Sequence, residues 1–115
     1  MKLFIAILLL FSTGLNAQDE KLIKRLEKDA REYYRIEEYH VALPLYLKLD
    51  TFSADNSLYN YRIGVCYMHT HNEPFALAFL KKAKQLNYDE KELYYYLGKA
   101  HHINHQFTEA ISAFY

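Results

Sequence analysis

The sequence predicts an all-α domain, and three observations carry that expectation. Turn formers are scarce, with 3 Gly and 2 Pro in 115 residues, too few to punctuate a many-stranded sheet. Apolar residues recur at helical spacing: Tyr59, Ile63, Cys66 and Tyr67 form one stripe, and Leu93, Leu97, Ala100 and His101 form another. The stripes themselves repeat. An offset of 34 residues aligns Ala42 with Ala76 and Ala110, Leu43 with Leu77 and Ile111, and Tyr46 with Leu80 and Phe114. The same offset aligns Ala30, Gly64 and Gly98 as small residues, and Tyr33, Tyr67 and His101 as flat rings. Columns of one chemical kind at one spacing define a repeating unit of two amphipathic helices joined by a tight turn.

The elements follow in order. Lys2 precedes an apolar run from Leu3 to Phe11, which Ser12, Thr13 and Gly14 break before the small Ala17. That is the form of a secretory signal peptide over 1–17, cut between Ala17 and Gln18. The run is far shorter than the roughly 20 residues that span a bilayer. The remaining 18–115 is one domain, with helices expected at 20–36, 40–51, 57–70, 74–86, 90–103 and 108–115. Pro44 is tolerable if the second helix starts near His40 or Val41, where the first N–H groups have no partner. Asp55 or Asn56 caps the third helix. Pro74 suits the first turn of the fourth. Asp89, with Glu92 three residues on, forms a capping box for the fifth. Gly inside a helix costs about 1 kcal/mol relative to Ala, so Gly64 and Gly98 imply a close approach by the second helix of their units.

Composition narrows the function. Lys plus Arg and Asp plus Glu both number 14. Without residues 1–17, which hold Lys2 and no acid, the formal charge is −1. A chain without a basic excess is a poor nucleic-acid ligand, and no basic block is present for anionic lipid. Cys66 is the single cysteine, so the fold has no internal disulfide and no cysteine behind the leader to carry a lipid.

The third unit reads Tyr94, Leu97, Gly98, His101, Ala110, Phe114. The second reads Ile63, Gly64, Tyr67, Ala76, Leu80, Ala83, and the first Leu26, Ala30, Tyr33, Ala42, Tyr46. A 34-residue helix–turn–helix unit with this pattern resembles the tetratricopeptide repeat. The resemblance implies an antiparallel helix-pair solenoid of about three units, the last truncated. Asp29 stands where Ile63 and Leu97 lie in the other units, and Asn60 replaces the usual large first aromatic. The leader ending in Ala17, together with "ALPLYLKL" and "YNYRIGVCYM", is similar to the N-terminal repeat region of Gram-negative envelope proteins. In those proteins, WD-type propeller repeats and a C-terminal OmpA-like domain follow. This resemblance implies a periplasmic, outer-membrane-associated location and a peptidoglycan link only through a downstream domain. The expected helix at 108–115 lacks a polar cap, which suggests the N-terminal part of a longer protein.

Candidate chemistry is thin. His101 and His105 are i, i+4 on a helix and could face one metal, but His101 falls in the flat-ring column and is read as packing, with His105 at a turn. Cys66 lies on the packing stripe and is read as buried and inert. No phosphate loop, nucleophile triad or paired-cysteine motif is present, so neither an enzyme nor a cofactor is expected. What remains is a binding surface. The resemblance implies contacts from the first helix of each unit, on the concave side: Arg31, Tyr34 and Arg35 (with Lys24 and Glu27), then Tyr61, Val65, Met68 and His69 (with Leu58), then Tyr95, Lys99 and His102 (with Glu92 and Ile103). The leading expectation is a non-catalytic envelope scaffold for a protein or peptide. A His-dependent metal-binding or hydrolytic protein, or a small free-standing periplasmic adaptor, are the alternatives.

Overall fold

Three connections carry the same backbone device. Glu37, His71 and Asn87 have φ of 62°, 59° and 67°, the left-handed conformation that closes a helix by turning back its last N–H groups. Ile36, Glu37 and Glu38 donate to the carbonyls of Glu32, Tyr34 and Tyr33, and Leu86, Asn87 and Tyr88 repeat this on Lys82, Lys84 and Ala83. The computed structural model describes residues 14–114. Among them are five helices and no strand: α1 (Ala17–Arg35), α2 (Tyr39–Phe52), α3 (Ser57–His69), α4 (Glu73–Gln85) and α5 (Lys91–Phe114). The first thirteen residues of the expected leader and the final Tyr115 lie outside the described residues.

Side chains set the helix starts. Asn16 Oδ1 accepts from the Asp19 N–H at 2.9 Å, and Asp19 and Glu20 place negative charge in the first turn. A cut after Ala17 would remove that cap. Asn56, one of the two expected caps, accepts from the Tyr59 N–H at 3.0 Å. Pro74 sits in the first turn of α4. Pro44 departs from expectation. The Glu38 carbonyl already accepts from Val41 and Ala42, so α2 starts at Tyr39 and Pro44 lies inside it. The helix there gives up one backbone bond, to the carbonyl of exposed His40.

Each helix packs on the next, and α3 also touches α5. α3 is the centre of the molecule. Tyr59, Ile63 and Cys66 pack toward Ala30, Ala42, Tyr46 and Leu49 of α1 and α2. Tyr61, Val65 and Met68 pack toward Ala76, Leu80 and Ala83 of α4 and Leu93, Leu97 and Ala100 of α5. A helix covered on both sides reads apolar nearly all round. Gly64 permits the α3–α4 approach: a Cβ there would lie 2.6 Å from Leu80 Cγ and Cδ2 and 3.4 Å from the Ala76 carbonyl oxygen. Asn60, in the slot of the usual large aromatic, is fully buried. Its Nδ2 donates to the carbonyls of Ala54 (3.0 Å) and Asn56 (2.8 Å), tying the α2–α3 loop to α3.

The third unit departs from the frame. The helices expected at 90–103 and 108–115 are one continuous helix, α5, so nothing folds back over Gly98, and a Cβ there would meet nothing within 4 Å. His101 is consequently exposed and not packed between helices, and His105 lies in the helix, not in a turn. The reason is energetic. His105 is the 34-residue counterpart of Glu37 and His71, so a turn there would force a fourth non-glycine residue, after Glu37, His71 and Asn87, into the left-handed region at about 1–2 kcal/mol. In the first two units, burial of Ala30 with Ala42, and of Gly64 against Leu80, offsets that strain. Continuing the helix through 104–107 avoids that strain and keeps the backbone bonds.

A candidate partner-binding face

α1, α3 and α5 are the first helices of the three units, and Tyr39 of α2 joins their residues into a connected set of rings. Tyr34 on α1 stands edge-on to Tyr39 (5.5 Å between centroids) and Tyr46 (6.1 Å) of α2. Tyr39 stacks on His69 of α3 at 4.3 Å. His69 Nε2 is 3.0 Å from the Tyr96 hydroxyl on α5, and Tyr95 stands edge-on to Tyr96 at 5.2 Å. Lys99 lies over the Tyr95 ring at 5.6 Å. Burial raises the hydroxyl pKa of Tyr34, Tyr39 and Tyr96 above the ordinary range, so these rings stay neutral and present O–H groups across the physiological range.

Beside this belt lies a cleft of about 240 Å³ lined by Glu27 and Arg31 of α1, Tyr46 of α2, Asn56, and Leu58, Tyr59 and Arg62 of α3. Arg62 is held firmly. Its Nη1 donates to the Tyr46 hydroxyl at 2.6 Å, and its guanidinium lies over the rings of Tyr34 (4.8 Å) and Tyr46 (5.7 Å). The Tyr59 hydroxyl donates to the Glu27 carboxylate. That contact and burial, with burial the larger, push the Tyr59 hydroxyl pKa upward.

The residues expected at a partner surface do not share one environment. Arg31 lines the cleft with Glu27 and Leu58; Tyr34 and His69 belong to the belt, and Tyr95, Lys99 and His102 are exposed on α5. Arg35 is exposed and engaged by Glu32 at 2.7 Å. Tyr61, Val65 and Met68 are 6 %, 1 % and 9 % exposed and offer a partner almost no surface. They are core residues because α3, flanked by neighbours on both sides, buries positions that an end helix would expose. Tyr39, Tyr96 and Arg62 were not anticipated. A single-helix frame cannot register Tyr39, which opens α2, or Tyr96, whose partner His69 is 27 residues away. Arg62 did carry a signal: it is the one charged residue between Ser57 and Met68.

Among the described residues no group of three or more His, Cys, Asp and Glu could hold a metal ion, and no helix is long and apolar enough to cross a membrane. Burial pushes the Cys66 thiol up to about 12, against the opposing pull of Arg62, which keeps the thiolate negligible at neutral pH. No protein family, curated protein or solved structure matches the chain.

His69 gives the belt a pH dependence. Desolvation by its neighbours and the charge of Lys99 hold its pKa below the usual 6.5, with Glu37 acting in the opposite sense. Between the folded and unfolded values the unfolded chain binds more protons, so stability rises with pH there. The contribution is complete above about pH 6.5 and is lost as the pH falls through the folded value. Thermal melts should therefore give a lower Tm at pH 5 than at pH 7.5, and the gap should narrow in His69→Gln. An unchanged gap would remove His69 as its source.

Proposed function

We propose that the chain is a helical-repeat scaffold of the tetratricopeptide type, acting in the cell envelope, which holds a protein or peptide partner along the face formed by α1, α3 and α5. It does so without chemistry of its own. The reading includes export on residues 1–17 and a place at the N-terminal end of a longer envelope protein with propeller and OmpA-like domains. The observation that carries it is the ring-and-cation face running from Tyr34 through Tyr39, His69 and Tyr96 to Lys99. Tyr and Arg are the side chains that dominate binding energy, because they combine large area with a directed polar group. The 34-residue register, with Gly64 against Leu80, supports the repeat type.

The test is selection of peptides from an unbiased display library against the full chain, with the site mapped by NMR. Selected peptides should perturb Tyr34, His69 and Tyr96. Tyr95→Ala and His102→Ala, both at exposed positions, should weaken binding about tenfold each, roughly 1.4 kcal/mol, with helical circular dichroism unchanged. Peptides that map to surfaces of α2 and α4 away from Tyr39 and Tyr46, or variants that bind at full strength, would refute this assignment.

A further inference from the structure

The cleft between α1 and α3 contains an electrostatic imbalance. Three charged side chains line it, Glu27, Arg31 and Arg62. The single carboxylate is already engaged by the Tyr59 hydroxyl. Among the described residues, neither arginine has a carboxylate within 4 Å. Arg31 is exposed, and Arg62 is only partly covered. Surface arginines without partners are common and mean little, but Arg62 is not loose. A hydroxyl bond and two aromatic faces hold its guanidinium at the cleft, so its entropy of ordering is already spent before a ligand arrives. The contacts that hold it are neutral, which leaves the charge and most of its five N–H donors available. A second cation on the facing helix then makes the cleft a site for an anion with more than one oxygen.

The cleft also has a direction. Arg62 lies over Tyr34, and Tyr34 is the first ring of the belt that runs to Tyr96. A ligand with its anion between Arg31 and Arg62 therefore has a tyrosine-lined track leading away from it. A free inorganic ion would use only the cleft. A peptide carrying an acidic side chain would use both.

We propose that the Arg31–Arg62 cleft is an oxyanion subsite that receives an aspartate or glutamate side chain from within an extended partner peptide, and so sets the peptide's register along the tyrosine belt. The proposal rests on the reading above of the α1–α3–α5 face and adds the partner's chemistry to it. The carboxylate accepts from both guanidinium groups, and Leu58 at the cleft wall contacts the methylene groups of the acidic side chain.

The experiment uses the display-selected peptides and the full-length chain. Selected peptides should share an acidic residue at one position. Changing that residue from Glu to Gln, or Asp to Asn, should weaken binding at least tenfold, and Arg31→Gln should weaken the acidic peptide by a similar factor while leaving the amide peptide unchanged. Arg31→Gln is the variant of choice because Arg31 has no ion pair among the described residues and its removal leaves the Arg62–Tyr46 contact in place. Raising the salt from 50 to 500 mM should reduce the difference between acidic and amide peptides. Inorganic phosphate and N-acetylglutamate serve as small probes: N-acetylglutamate should shift the Arg62 side-chain resonance saturably. If phosphate competes as strongly as an acidic peptide, the site is a general anion trap and the peptide assignment is overturned. Peptides that bind the belt with no acidic requirement would overturn the subsite and leave the reading of the α1–α3–α5 face standing. Peptides that bind no part of that face would overturn both.

Discussion

Gly64→Leu should destabilise the protein by about 3 kcal/mol or more, while Gly98→Leu, at the corresponding position one repeat later, should stabilise it by up to about 1 kcal/mol. The two glycines occupy one column of the sequence, and both sit inside helices. At position 64 even a Cβ would stand 2.6 Å from Leu80 Cγ and Cδ2. Leu80 is fully buried, so it can move only by displacing its own neighbours, and the Ala76 carbonyl 3.4 Å away belongs to the α4 backbone. Overpacking of this kind costs about 1–3 kcal/mol for modest additions, and four new carbon atoms exceed modest. At position 98 nothing lies within 4 Å of the new Cβ, and replacing glycine in a helix interior recovers most of about 1 kcal/mol of backbone entropy. For a domain of this size the first substitution should lower Tm by roughly 12–24 °C, and the second should raise it by a few degrees. Thermal melts followed at 222 nm decide the matter. Equal effects at the two sites would mean that α5 does fold back over Gly98.

That pair of positions also shows how much of the fold could be read in advance. The all-helical class was legible, and the first four helices begin and end within a few residues of expectation, because small residues at 30, 42, 64 and 76 mark where helices touch. The periodic pattern does not encode whether a given touch is made. Gly98 and Ala110 carry the same marks, yet they lie on one helix, about 18 Å apart along its axis. The outcome at 104–107 depends on a balance between turn strain and buried area, and a repeat alignment contains neither quantity. The candidate face was legible by half. Arg31, Tyr34 and His69 follow from the position of the first helices, whereas Tyr39 and Tyr96 join them through contacts between helices. Tyr61, Val65 and Met68 show the converse error. They share the expected stripe, but α5 covers them, and the spacing within α3 cannot say what lies against it.

The remaining large effect concerns Tyr46, where the core and the candidate face meet. Its ring is 1 % exposed and is wedged against Tyr34 and Tyr59 at 6.1 Å each, while its hydroxyl accepts from Arg62. Burial raises the pKa of that hydroxyl and Arg62 draws it back, so the group remains a neutral acceptor for the guanidinium. Tyr46→Ala removes a whole buried ring from the α1–α2–α3 cluster and should cost about 3–5 kcal/mol, the range for truncation of large aromatic side chains. Against a typical total of about 5–15 kcal/mol, that is from about a fifth of the stability to all of it. Tyr46→Phe keeps the ring and deletes only the oxygen, at about 1 kcal/mol, and leaves Arg62 held by ring faces alone. The two variants therefore separate packing from positioning. Urea titrations should rank them Ala far below Phe in stability. If Tyr46→Phe proves as damaging as Tyr46→Ala, the hydroxyl is structural in itself. If instead it is nearly as stable as the parent but loses affinity for acidic peptides, the bond to Tyr46 serves to aim Arg62 into the cleft.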